Sequence, residues 1–208
     1  GLEISEKFIG VQLARRQMGH GRGGRMKIEK DWAEIWCGVR HGKTLGSPVG
    51  LLVKNKDWEN WTKKMSILPT DDKIKKVTLP RPGHADLAGV QKYDFKDIRN
   101  ILERSSARDT TMRVALGTIC RKLIEDFGIE VGSRVTQIHD VIDSTSISEN
   151  FMPNELSSLA DKSPVRCLDK QKENQMIEVI DKAKTSGDSV GGVFEVIATG
   201  LPYGLGSP

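Results

Sequence analysis

Aromatic residues make up only 5% of the 208-residue sequence, and cysteine occurs three times. Cys37, Cys120 and Cys167 are far apart, odd in number and outside any CxxC or His/Cys spacing. That excludes a disulfide framework and a zinc site as readings, and points to reduced thiols in a cytosolic setting. No apolar run approaches the ~20 residues that a membrane helix needs. The opening GLEISEKFIG carries acids and no apolar h-region, so no secretory leader is read there. Neither sign of charge dominates: 32 Lys plus Arg against 28 Asp plus Glu leave +4, too little to imply nucleic acid by itself. No internal repeat and no low-complexity tract is present.

What the sequence does have is enough Val, Ile and Leu in recurring blocks to build one sizeable core. Ile4 to Arg16 reads as a helix capped by Ser5, with Ile4 and Ile9 placed as a hydrophobic staple. Trp32 to Val39 alternates as a strand, with Ala33, Ile35, Cys37 and Val39 on one face; Val49 to Val53 reads as another. The lysine-rich stretch from Asn55 to Pro82 reads as a long loop. Short helices are expected at Asp86 to Lys92 and Asp97 to Leu102. A long helix is expected to carry Met112, Ala115, Ile119, Leu123 and Phe127 inward and to stop at Gly128. Val131 to Val141 suggests a strand, Ser144 to Ser163 a polar loop, Asp169 the cap of a helix carrying Met176 and Ile180, and Gly192 to Ala198 a strand. Helices and strands are mixed rather than alternating, which favours α+β.

Three segments carry chemistry. Gly19-x-Gly21-x-x-Gly24 matches the dinucleotide fingerprint in letters only, because that fingerprint needs a strand before it and a helix after it. The same stretch places Arg15, Arg16, Arg22 and Arg25 among glycines. Glycine lets backbone approach a ligand and arginine offers a planar fork to phosphate or carboxylate. A pocket for a multiply charged anion, a solvated basic loop and an RNA-binding Arg/Gly segment all fit that composition. In Arg81-Pro82-Gly83-His84-Ala85-Asp86 the Pro-Gly turn presents His84 from a rigid corner, where it can pass a proton near neutral pH. His20, His41 and His139 have no comparable setting. Arg104-Ser105-Ser106-Ala107-Arg108-Asp109 lies where the long helix begins, and a helix N-terminus attracts anions. A plain capping segment with an Arg108–Asp109 surface pair fits there too.

Together these segments resemble the chorismate synthase family. The resemblance runs through RRQMGHGRGGRM (15–26), GVRHGKTLGSPV (38–49), RPGHAD (81–86), RSSARDTTMRVALG (104–117), SPVRCLD (163–169) and GDSVGGVFEVIATGLPYGLGS (187–207), in one order. It implies a β-α-β sandwich, a cytoplasmic homotetramer, and a lyase without nucleic-acid or membrane partners. That lyase converts 5-enolpyruvylshikimate 3-phosphate to chorismate and phosphate by anti-1,4-elimination, the last common step toward the aromatic amino acids. Reduced FMN is the implied cofactor, with NADPH in members that reduce their own flavin. The substrate's phosphate and two carboxylates suit an arginine pocket, which decides against the RNA reading.

Carried over position by position, the resemblance implies that His84 protonates the flavin at N1. It implies that Arg16, Arg25, Arg81 and Arg108 hold the substrate, that Arg104, Ser105 and Ser106 contact the flavin, and that Arg16 and Arg22 meet NADPH. Met26 and Thr44 would line the same region, and Asp109 stands where glutamate is usual. No metal is implied. The family's opening strand with its GESHG-type loop and its C-terminal part have no counterpart here. Residues 1–208 are therefore expected to be a single partial domain with exposed sheet edges, prone to associate, whose activity on its own is left open.

Overall fold

The computed structural model describes residues 1–22, 30–102, 105, 107–148 and 150–206. Helix α1 (Glu6–Gln17) starts where Ser5 Oγ accepts the Phe8 amide at 3.2 Å, and Ile4 and Ile9 are both buried as a staple requires. The chain then reaches β1 (Ala33–Cys37), the short pair β2 (Val39–Arg40) and β3 (Lys43–Thr44), and β4 (Gly50–Val53), which pairs antiparallel with β1. A helix before the glycine loop and a strand after it are the reverse of the dinucleotide-binding order.

The segment from 54 to 85 holds only a single 3-10 turn, Trp58–Asn60. Helices α2 (Asp86–Tyr93) and α3 (Arg99–Leu102) follow and pack closely: a Cβ at Gly89 would lie 2.7 Å from the Ile101 side chain. Helix α4 (Ala107–Glu125) lies against α1 and closes the main core, where Ile4, Ile9, Leu13, Ala33 and Ala115 are buried. Phe8, Ile35, Val39 and Leu51 pack around them.

The second half is a three-stranded antiparallel sheet in the order β6 (Val141–Ile142), β5 (Glu130–Ile138), β7 (Gly192–Thr199). Helix α5 (Pro153–Ala160) crosses β5 at Gly132, where an added Cβ would meet the Pro153 carbonyl oxygen at 2.0 Å. Helix α6 (Lys170–Ser186) is capped by Asp169, whose carboxylate accepts the Gln171 and Lys172 amides, and it buries Met176 against Val165 and Cys167. The mixture is α+β.

Four expectations need correction. Val131 to Val141 is not one strand, because it turns at His139-Asp140 into β6. Ser144 to Ser163 is not all loop: it contains α5, whose Leu156, Ser157 and Ala160 are buried. The expected apolar face of α4 is only partly inward. Thr111, Ala115 and Thr118 are buried, while Leu123 and Phe127 are exposed. The threonine hydroxyls donate to the Ala107 and Val114 carbonyls at 2.7 Å, so they enter the core with their polarity satisfied. In β1, a bulge between Ile35 and Cys37 breaks the alternation and leaves Cys37 exposed.

Candidate functional site

The corner at 81–86 is tied by one carboxylate. Gly83 adopts φ +64°, a left-handed turn, and brings His84 and Arg81 onto Asp86 at the start of α2. Asp86 Oδ2 accepts the Arg81 amide at 2.9 Å and Arg81 Nε at 2.8 Å, and Oδ1 accepts Arg81 Nη2 at 2.9 Å. Oδ1 also lies 2.9 Å from His84 Nδ1. Asp86 is fully covered, while the Arg81 side chain that binds it is half exposed. The Arg81 hydrogen bonds hold the Asp86 carboxyl well below the usual carboxylate range, against the opposing effect of burial. The same bonds raise the Arg81 guanidinium. His84 Nδ1 thus lies between a carboxylate oxygen that only accepts and, at 3.0 Å, Arg81 Nη2 that only donates, so both neighbours hold the ring through Nδ1 and neither engages Nε2. Arg81 Nη1 makes no bond among the described residues.

Arg16 occupies a second arrangement. Its Nη1 donates to Asp31 Oδ2 at 3.0 Å and its Nη2 to the Ala107 carbonyl at 3.0 Å, clamping the end of α1 to the start of α4. Arg16 Nε is buried with no hydrogen-bond partner among the described residues. Arg108 sits half-buried on the first turn of α4, next to that clamp. Asp109 pairs with Arg113 at 2.6 Å across one helical turn. Ser105 donates its hydroxyl to the Ile101 carbonyl at 2.6 Å, so it is fixed at the α3–α4 junction. Among the described residues His84 and Arg16 share no hydrogen bond.

Arg22 neighbours Arg16 without joining either carboxylate. Its Nε donates to the Met18 carbonyl, and it lines a cleft of about 470 Å³ that Arg15, Arg16 and Arg166 also line. Burial and then the neighbouring Arg16 charge lower the Arg22 guanidinium. Thr44, expected to line the ligand region, uses its hydroxyl to accept the Leu2 amide at 2.9 Å. Arg25, Met26, Arg104 and Ser106 lie outside the described residues. Sequence reasoning did not single out Arg166, which stands in the SPVRCLD block with no local feature to mark it. Nor did it find Asp161 as the partner of Arg15. Among the described residues, no group of three or more His, Cys, Asp or Glu is placed to hold a metal, and no helix is long and apolar enough to cross a membrane.

Comparison with known proteins gives a consistent picture. The family model described as chorismate synthase matches residues 1–208. A chorismate synthase of Enterococcus faecalis is 52% identical over 210 residues, covering all of this chain and 54% of its own length. Chorismate synthase 2 of Bacillus cereus is 51% identical over 212 residues, again over the whole chain and 54% of the relative. Among solved structures, one titled as the crystal structure of chorismate synthase superposes with a TM-score of 0.71 at 36% identity, over 95% of this chain and 50% of that one. The chain spans about half the length of the curated relatives it matches.

Proposed function

Because this chain belongs to the chorismate synthase family, we propose that it carries much of the active site of a lyase that makes chorismate from 5-enolpyruvylshikimate 3-phosphate. In that reaction a C–O bond to phosphate and a C6–H bond break in an anti-1,4 sense, and phosphate and the conjugated product leave. Reduced FMN, when bound, supplies an electron transiently and recovers it, so no net redox change results.

The observation that carries the reading is the Arg81–Asp86–His84 corner. Asp86 fixes the imidazole through Nδ1, so Nε2 can hold or deliver a proton at a fixed point beside a bound flavin. Arg16, Arg81 and Arg108, with Arg25, serve the substrate's phosphate and carboxylates. The buried, unpartnered Arg16 Nε beside the N-terminus of α4 suits an anionic group. Ser105, with Arg104 and Ser106, would contact the flavin, and its hydroxyl oxygen still has lone pairs to offer. Arg16 and Arg22 would meet NADPH where the enzyme reduces its own flavin. A homotetramer in the cytoplasm completes the proposal. The RNA-binding reading has no observation in its favour, since Arg15 and Arg16 are engaged by carboxylates within a folded cleft.

Anaerobic titration with reduced FMN, with and without 5-enolpyruvylshikimate 3-phosphate, tests the reading. Flavin binding tightened by substrate is expected. Arg108→Ala should weaken the substrate by about 1.5–3 kcal/mol if it makes a charge-assisted bond. His84→Ala should cut turnover by about 10²–10⁴-fold while leaving substrate affinity near the parent value. Unchanged turnover without the imidazole would remove His84 from the mechanism.

A further inference from the structure

A histidine among glycines is ordinarily a plain surface residue, and no motif marks His20. Its surroundings in the fold are specific. His20 Nε2 lies 2.7 Å from Asp181 Oδ1 on α6, 161 residues away in sequence. Its backbone amide donates to the Pro164 carbonyl at 2.8 Å. Gly21 adopts φ +76° and comes so close to α6 that an added Cβ would lie 2.8 Å from Ile180 Cγ2. Arg22 then bonds back, its Nε donating to the Met18 carbonyl at 3.2 Å. Residues 18–22 are thus one closed turn, tied to α6 and to Pro164, and it ends in Arg22.

These ties oppose a force. Arg16 and Arg22 line the same cleft, and Asp31 offsets the Arg16 charge only in part, since Arg22 still feels it. Like charges held near one another push Arg22 away from Arg16 until an anion comes between them. The bond from Arg22 to Met18 cannot resist that push, because both ends belong to the turn. The resistance comes from outside it, from Asp181, Ile180 and Pro164. The His20 and Asp181 side chains are 31% and 55% exposed, so their ion pair is weak taken alone and works with the other two ties. The core does not need them: Ile9, Leu13 and Met176 are fully buried elsewhere.

We propose that His20 and Asp181, with the close contact at Gly21, are positioning residues that dock the turn at the end of α1 on α6 and so hold Arg22 in the cleft beside Arg16. An anion bound between the two arginines removes their repulsion, so its binding and the docking favour each other. The consequence for NADPH rests on the role of Arg22 proposed above; the docking itself does not.

NMR of the 15N-labelled chain tests the docking at two places. Exchange of the His20 amide reports the bond to Pro164, and the Arg22 Nε–H signal reports the bond to Met18. Asp181→Ala should speed the His20 exchange roughly threefold, as loss of an exposed ion pair does, and shift the Arg22 signal, although Asp181 does not touch Arg22. Asp181→Asn keeps an accepting oxygen and should lose less. Gly21→Ala should speed the exchange roughly tenfold, through its left-handed conformation as well as its contact. The melting temperature should change little in each, since the ties lie outside the core. Titration with NADPH, followed by its fluorescence, carries the consequence. Asp181→Ala should weaken NADPH in the parent chain and change nothing once Arg22→Gln is present, because it acts through Arg22. An equal loss in the Arg22→Gln background would remove Asp181 as a positioning residue. A parent chain that does not bind NADPH, with the NMR changes as expected, would overturn the NADPH reading and leave the docking standing. Parent-like His20 exchange and Arg22 signals in both Asp181→Ala and Gly21→Ala overturn the docking.

Discussion

Arg16 and Arg81 are each tied to a carboxylate, Arg81 through several donors and Arg16 through one, yet they fix different things. Arg81, His84 and Asp86 lie within six residues of one another, and their bonds hold the shape of a turn. Arg16 bonds Asp31, fifteen residues away, and the Ala107 carbonyl, ninety-one residues away, and it fixes how α1 meets α4. Both side chains of the Arg16–Asp31 pair are only 10% exposed, whereas the Arg81 side chain is 51% exposed. A local lock on the surface can orient a proton carrier without bearing on the core. A long-range lock under cover both positions an arginine for a ligand and closes the fold.

The sharpest way to break this contrast is to remove each carboxylate in turn. Asp31→Ala should cost the most, about 3 kcal/mol of unfolding free energy, because it leaves a covered guanidinium without its counter-charge. Urea denaturation of parent and variant measures it. Arg16→Lys should not restore the parent stability, since one ammonium cannot reach both Asp31 and the Ala107 carbonyl in the geometry of a planar fork. A Lys variant as stable as the parent would show that the two bonds are not a single clamp.

Asp86→Ala should cost less, about 1.5 kcal/mol, since the freed Arg81 can be solvated where it stands. The corner also has a pH signature. The Asp86 carboxyl is held below its ordinary value, so its contribution is present in full above the unfolded carboxylate value of about 4 and is lost as the pH falls further. Parent and Asp86→Ala stabilities should therefore differ at pH 6 and converge on acidification. A difference that persists unchanged to pH 2 would assign the loss to packing instead of the ion pair.

The same division explains what could be read from the sequence. RPGHAD was legible because its turn residues, its histidine and its acid are neighbours whose local chemistry permits few conformations. The caps of α1 and α6 were legible for the same reason: Ser5 and Asp169 bond amides two or three residues on. The family, and with it the α+β architecture, was legible from blocks that keep one order. The Arg15–Asp161–Arg166 cluster was not, since its members are brought together by α1, α5 and a loop that no local pattern joins. Helix α5 was hidden by its serines, although Ser157 is buried and accepts the Ser133 amide at 3.1 Å. The inward face of α4 was misread because its threonines satisfy their hydroxyls within the helix, a route that a count of apolar letters misses.

Ser5→Ala gives the smallest effect and separates the two variables that the arginine comparison leaves joined. The Ser5 cap is as local as the Asp86 corner, but its hydrogen bond to the Phe8 amide is exposed, so water can replace what the hydroxyl gave. The expected cost is about 1 kcal/mol, the usual value of an N-cap. The staple of Ile4 and Ile9 should keep the helix start in place, since both side chains are buried whether or not the cap is made. If cost follows the cover of the group left without its partner, the order is Asp31, Asp86, Ser5. A Ser5 variant that loses as much as Asp31→Ala would mean that the start of α1, and not its clamp to α4, limits the stability of the core.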